Sequence, residues 1–294
     1  MKKLIVIINF LFICLHIDAQ TELWGMTIGG GQYGAGTIFK TDGSGNNLTV
    51  EHSFYCIEGA NPGRTKLIQA TDGMLYGTTT GGGSKNLGTI YQFDPGSNVY
   101  TKKHEFTLTA NGKSPIGSLL QATDGKLYGV ASGGTVTPGA GIYGVLYQYD
   151  LITNTYAKKI DFGPAMGSLP TGSLLQYADG NIYGMTAGGG VNNFGVIFQY
   201  NPVSGIYTKK IDFDGVLNGR SPKGELMQAA DGKLYGMTAL GGVNNKGIIF
   251  QYDPITNVII KKFDFDGTAN GSTPYATLTQ ATNGMLYGMT YEGG

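Results

Sequence analysis

Histidine, cysteine and tryptophan are almost missing from this chain: three, two and one in 294 residues. So few imidazoles and thiols exclude a zinc centre, and a leftover thiol excludes a disulfide framework. Charge is scarce as well, with Asp, Glu, Lys and Arg together at 14% and a formal net charge of +0. That excludes the basic footprint of a nucleic-acid binder and a polybasic face for anionic membranes. Beyond residue 15 no apolar run approaches the roughly 18 residues of a membrane-spanning helix. No segment sustains an apolar period of 3.6 either, so helices are not expected.

What the chain has instead is glycine, 50 residues of it, with hydrophobic content still at 41%. A glycine-rich disordered chain would not carry that much apolar surface. The glycines sit at the ends of short apolar runs, where a chain must turn. The stretch "DGKLYGMTALGG" at residues 231–242 has close copies at 72, 124, 179 and 283, and "LWGMTIGGG" begins at Leu23. The aromatic before the first glycine falls at Trp24, Tyr76, Tyr128, Tyr183, Tyr235 and Tyr287, at successive spacings of 52, 52, 55, 52 and 52. Six copies in register define a tandem-repeat chain, with repeats starting near 23, 75, 127, 182, 234 and 286.

Residues 1–20 stand outside the repeats. Lys2 and Lys3 precede an apolar run at residues 4–15 and a small-residue site near Ala19 and Gln20, the layout of a secretory signal peptide. A lipoprotein reading would modify Cys14, but Ile13 is bulky where such sites need a small side chain. Removal of Lys2, Lys3 and Asp18 leaves 20 − 2 = 18 basic and 20 − 1 = 19 acidic residues, with Cys56 as the sole thiol. The domain reading is therefore a signal peptide at 1–20 and a repeat region at 21–294.

Within one repeat, "ELMQA", "LYGMT", "IIFQYD" and "VIIKKFDF" read as four strands, joined by Asp-Gly, glycine-rich and Asp-Pro-x-x-Asn turns. The third strand carries an aliphatic residue on one face and aromatics on the other: Ile90 against Tyr91 and Phe93, Ile197 against Phe198 and Tyr200. Apolar side chains on both faces call for a sheet packed between two others, as a propeller blade is. A β-helical solenoid would use coils of about half this period. The expected fold is all-β, a β-propeller of four-stranded antiparallel blades of about 52 residues. The fourth strand carries paired lysines (Lys102 and Lys103, Lys158 and Lys159, Lys209 and Lys210, Lys261 and Lys262), as suits an outer edge protected against pairing.

Candidate chemistry is thin. Gly29, Gly31 and Gly34 follow a G-x-G-x-x-G spacing, but a strand, not a helix, follows them, so they read as a turn. His52 and His104 occupy one repeat position whose later occupants are Ile160, Ile211 and Phe263, which marks a packing site rather than a metal pair. The carboxylates of Asp212 and Asp214, and of Asp264 and Asp266, could approach calcium; too few oxygens surround them, and turn formation is the better role. No nucleophile has a general base, so no catalytic, metal or cofactor residue is assigned. The third copy carries four extra residues within "SGGTVTPGAGIYG", at residues 132–144, and such insertions map to loops, where recognition resides.

The unit "DGKLYGMT–GG–GIIFQYDPITN" resembles a kelch repeat. More closely, Pro222, Gly224, Leu226, Gln228, Asp231, Gly232, Tyr235, Gly236, Thr238, Gly241 and Gly242 match the GloVer-type tandem repeat of secreted bacterial proteins, across about residues 21–294. The resemblance implies an extracellular propeller-like repeat protein held at the cell surface by one of several alternative C-terminal anchors, and no anchor follows here. The expected function is a secreted or surface scaffold, not an enzyme, that binds glycan or envelope protein through blade loops. The alternatives are a hydrolase or lyase with carboxylates at the propeller mouth, and a purely structural envelope spacer. The first repeat opens at a second strand, Leu23 onward, and the last adds another second strand beyond "TLTQA". That duplication predicts an incomplete arc of five blades plus part of a sixth, with an exposed edge near residues 285–291.

Overall fold

The computed structural model describes residues 22–62, 65–107, 111–133 and 143–294. The signal peptide expected at 1–20 and the four extra residues expected in the third glycine loop lie outside them. The described residues form six antiparallel sheets and no helix, a propeller-like all-β architecture. The first sheet holds Glu22–Thr27, Thr37–Asp42 and Thr49–Ser53. The second and fifth have the expected four strands in meander order, the fifth being Met227–Gln228, Leu234–Thr238, Ile248–Asp253 and Val258–Asp264. The third and fourth have five, and the last pairs only Thr279–Gln280 with Leu286–Tyr287.

Five strands arise where the repeat predicts four because the first strand is split. Lys113–Pro115 pairs with one end of Leu127–Gly133 and Leu120–Gln121 with the other. Pro115 gives no ladder donor, so the strand breaks around it. Ser168–Pro170 and Leu175–Gln176 repeat the arrangement in the fourth sheet.

The repeating motif has a concrete local cause. Asp72, Asp124, Asp179 and Asp231 cap their Asp-Gly turns by accepting the backbone N–H two residues on, and each second oxygen accepts the hydroxyl of the tyrosine four residues on. The third-strand glutamine then donates to that tyrosine oxygen: Gln92 to Tyr76, Gln148 to Tyr128, Gln199 to Tyr183 and Gln251 to Tyr235, at 2.7–3.0 Å. Turn, second strand and third strand are thereby tied by one polar triad inside an otherwise apolar layer.

The paired lysines mark a defect in the ladder. Registers slip between Ile90 and Tyr91, Leu146 and Tyr147, Ile197 and Phe198, and Ile249 and Phe250, so the opposing Lys103, Lys159, Lys210 and Lys262 are skipped. Each second lysine is the extra residue of a β-bulge on the edge strand, which twists that edge away from further pairing. The first lysine of each pair bonds the acid three residues on, as Lys209 does Asp212 at 2.8 Å.

Hydrophobic clusters bridge successive sheets. The third-strand aromatic lies on the glycine of its neighbouring strand: a Cβ on Gly236 would stand 2.5 Å from Phe250 Cζ, and Gly25, Gly77, Gly129 and Gly184 are covered likewise by Phe39, Tyr91, Tyr147 and Phe198. The preceding repeat sends a phenylalanine edge-on to that ring, as Phe54–Tyr91, Phe106–Tyr147, Phe162–Phe198 and Phe213–Phe250, at centroid separations of 5.1–5.6 Å.

A backbone latch joins each sheet to the next. Asn61, Ser114, Leu169, Ser221 and Thr273 all precede a proline, hold a left-handed φ of 49–58° and donate their N–H to a carbonyl of the preceding repeat. The residue before proline is disfavoured from helical conformations and non-glycine residues from positive φ. The fold imposes this strain at the same position five times, because it drives the proline ring over a glycine that opens the preceding repeat's third strand.

Candidate functional site

Two regions collect polar or exposed groups that the scaffold does not consume: the interior where the first strands converge, and the end bearing the glycine loops.

In the interior, Lys66, Ser118, Ser173, Glu225 and Thr277 occupy one position of successive repeats, two residues before the first strand. They form a ladder: Lys66 N–H donates to Ser118 Oγ at 2.8 Å, Ser118 N–H to Ser173 Oγ at 2.9 Å, Ser173 Oγ to Glu225 Oε1 at 2.6 Å, and Glu225 N–H to Thr277 Oγ1 at 3.2 Å. Lys66 Nζ also reaches Glu225 Oε2 at 3.3 Å, spanning three repeats, so these strand ends face a common interior. The backbones approach closely there, for a Cβ on Gly117 would meet the Gly172 carbonyl at 2.6 Å. A second ladder runs through glutamine: Gln121 accepts from Thr71 N–H and Gln176 from Thr123 N–H. A cavity of about 560 Å³ opens beside Lys66, Glu225, Gln228, Thr277 and Gln280. It offers one carboxylate, one ammonium and several hydroxyl and amide groups. Such a set can hydrogen-bond a polar ligand, but general acid–base work needs a second group poised against the carboxylate.

At the loop end, three of the glycine loops are fixed by their own asparagine: Asn86, Asn193 and Asn245 accept from Gly82, Gly189 and Gly241 N–H at 2.8–3.0 Å. The loops pack on the turns after the fourth strand, with Gly190 N–H donating to the Pro164 carbonyl and Gly242 N–H to that of Gly215. With the backbone satisfied, side chains point outward. Tyr33 and Tyr55 face one another at 5.6 Å with 56% and 40% of their surfaces exposed, and Val191, Val216, Leu217 and Val243 are exposed on equivalent loops and turns.

The sequence-derived candidates fall into place individually and are not brought together. The Gly29, Gly31 and Gly34 loop leads into the strand Thr37–Asp42. His52 stacks on Tyr100 at 4.4 Å and His104 on Tyr156 at 4.0 Å, two separate packing sites. Burial pushes both imidazoles toward the neutral form, His104 down to about 4, and Asn111 Nδ2 lies 2.8 Å from its Nε2. Asp212 and Asp264 end the outermost strands, not the interior. Each accepts a loop N–H (Val191, Val243) and pairs with its own lysine. Asp214 and Asp266 cap the following turns through Leu217, Asn218 and Thr268 N–H. Among the described residues no three of His, Cys, Asp and Glu are grouped to hold a metal. Cys56 is a free, exposed thiol. The interior Lys66–Glu225 pair and the Tyr33–Tyr55 pair are absent from the sequence reading. The first had a signal, since two charges interrupt a column of small hydroxyl residues; the second depends on contact between a loop and a turn 22 residues apart.

Antiparallel sheets stacked through aromatic slots and tied at a common interior define a propeller-type repeat protein. The sequence profile of the Gloeobacter/Verrucomicrobia repeat matches residues 14–143 and 133–294, so the chain belongs to that family. No curated protein matches the chain. Among solved structures, the extracellular domain of BT4673 from B. thetaiotaomicron is similar at TM-score 0.58 and 15% identity, over 91% of this chain and 32% of that one. This chain thus spans about a third of that relative's length. A chain of the nidogen/laminin complex is similar at TM-score 0.54 and 12% identity, over 92% and 85%. A gluconolactonase from Xanthomonas campestris, XC5397, is similar at 0.53 and 12%, over 86% and 75%. At such identities the likeness is one of fold. No helix among the described residues is long and apolar enough to cross a membrane.

Proposed function

We propose that this chain is an exported, non-enzymatic repeat scaffold that binds an extracellular glycan or envelope protein through its blade loops. The observation that carries the reading is the exposed Tyr33–Tyr55 pair on the first glycine loop and its facing turn, with Val191, Val216, Leu217 and Val243 exposed on the equivalent loops and turns of later repeats. Tyrosine rings on a preorganised surface supply contact area at low entropic cost and stack on sugar faces or apolar side chains. The leader at 1–20 supports export, and the likeness to an extracellular domain agrees with it. The scaffold is read as an open arc of five blades plus part of a sixth. In support, Leu23 is 49% exposed where Leu127 and Leu234 are fully buried, and Met289 is 73% exposed where Met237 is 2%.

The test is a screen of the purified protein on glycan arrays and against envelope extracts, beside a Tyr33→Ala/Tyr55→Ala double variant. Binding by the parent and its loss in the variant are expected; silence of the parent in both screens would remove the binding reading. A hydrolase or lyase reading has one observation in its favour, Glu225 in the interior of a fold shared with a gluconolactonase. Lactone or sugar turnover that disappears in Glu225→Gln would establish it instead.

A further inference from the structure

The latch between sheets is built five times, and one copy carries a pair of side chains that the others do without. The latch N–H bonds the carbonyl of Ala35, Leu87, Tyr143, Phe194 or Lys246, and the residue just before the latch is Ala60, Lys113, Ser168, Arg220 or Ser272. Among the described residues only the fourth copy sets a guanidinium on an aromatic ring: Arg220 Cζ lies 5.4 Å from the Phe194 ring centroid. Four latches close without such a pair, so the needs of the scaffold do not account for it.

Both partners are held in place. Ser221 N–H donates to the Phe194 carbonyl at 2.8 Å and Arg220 N–H to the Leu240 carbonyl at 2.9 Å. Phe194 covers Gly215, where a Cβ would stand 3.0 Å from Phe194 Cε2. The guanidinium nevertheless has no acceptor. Its Nε is buried with no hydrogen-bond partner, and the side chain makes no ion pair among the described residues. The acids of the adjoining turn are engaged elsewhere, Asp212 with Lys209 at 2.8 Å and Asp214 with the N–H groups of Leu217 and Asn218.

A charged donor that loses water and gains no acceptor costs free energy, and the ring beneath offsets only part of it. Such a half-desolvated guanidinium attracts an anion at its remaining N–H groups more strongly than one in water does. Its planar fork matches the two oxygens of a carboxylate. Val216 and Leu217, 59% and 71% exposed, add apolar surface on the same turn.

We propose that Arg220 on Phe194 is a carboxylate subsite of the loop end, which takes a uronic acid unit of an acidic glycan. The proposal rests on the loop-end binding reading above and narrows its ligand. The uronate carboxylate accepts from the Arg220 Nη groups, and the C–H face of the sugar lies on Val216 and Leu217. A uronate carries its carboxylate directly on a rigid ring with an apolar face, so charge and apolar contact fall within one unit. A peptide carboxylate ends a flexible side chain and brings no such face.

The probe is oligogalacturonate, titrated into the protein by calorimetry beside its methyl-esterified form and polyglutamate. Saturable binding of oligogalacturonate is expected, weakened at least about tenfold by esterification and by Arg220→Met. Arg220→Met keeps an apolar stem on Phe194 and removes the unpaired donor, so its melting temperature should equal or exceed the parent's, which separates lost binding from a lost fold. Arg220→Lys, with the charge but no fork, should fall between the two. No binding of oligogalacturonate, equal binding of the ester, or unchanged binding by Arg220→Met would overturn the proposal. So would tighter binding of polyglutamate, since a peptide would then be the occupant. Binding on glycan arrays or to envelope extracts without any uronate recognition would overturn this proposal and leave the loop-end reading standing, whereas silence on every probe would remove both.

Discussion

The Tyr128 hydroxyl donates to the Asp124 carboxylate at 2.8 Å and accepts from the Gln148 amide at 3.0 Å, inside a side chain with no exposed surface. Tyr128→Phe removes the middle of this triad and leaves the buried Gln148 amide without its acceptor, while the exposed Asp124 carboxylate loses a donor to solvent. A hydrogen bond to a charged group is worth about 1.5–3 kcal/mol, so a stability loss of that size is expected in a denaturant midpoint. Tyr147 is its contrast, equally buried, with a hydroxyl that has no partner among the described residues. Phe198 and Phe250 fill the same position without a hydroxyl. Tyr147→Phe should therefore be neutral or stabilising, by up to about 1 kcal/mol. Two losses of similar size would contradict the distinction.

These two tyrosines also show what the sequence discloses. The spacing of Tyr76, Tyr128, Tyr183 and Tyr235, at 52, 55 and 52 residues, is enough to place the repeat, its strands and its two buried faces, because period and turn chemistry are local. The same pattern hides why the tyrosine is there, since the Asp it joins lies 4 residues before it and the Gln 16 residues after, or 20 for Tyr128. The KK pairs read correctly as edge strands, but their bulge is visible only once registers are known. The interior Lys66–Glu225 contact bridges 159 residues and follows from the curvature of the whole stack, which no window of sequence contains.

The latch between sheets rests on close backbone approach. Gly247 holds φ at 98°, and a Cβ there would strike the Thr238 carbonyl and come within 2.9 Å of Pro274 Cδ. Gly247→Ala should cost about 2–4 kcal/mol, from an unfavourable φ together with overpacking. Gly232, at the tip of an Asp-Gly turn, also has positive φ (77°) but nothing nearer than 4.0 Å. Gly232→Ala should cost only about 1 kcal/mol, the conformational part. Thermal melts of the two variants compare packing with backbone strain directly; equal shifts would mean that the latch contributes nothing beyond φ.

His104 makes stability depend on pH. Burial against Tyr156 lowers its folded pKa to about 4, with the neighbouring Glu105 carboxylate opposing that shift, while in the unfolded chain it titrates near 6.5. Between those values the unfolded chain holds a proton that the folded chain does not, so stability falls as pH drops from about 6.5 to about 4 and is level above. The loss should be on the order of 2 kcal/mol, discounted because the ring still meets solvent. Glu105, held down to about 2 by its bond to Lys102 and then to Ser84, acts in the same direction in a lower window: its contribution is present above about 4.5 and disappears toward 2. His104→Phe, which copies Phe263 at the equivalent position of a later repeat, should make the upper window shallower, leaving the part that buried His52 contributes, and leave the lower one. Denaturant midpoints at pH 7, 5.5 and 4.5 for both proteins measure this; parallel curves would show that imidazole burial is not the source.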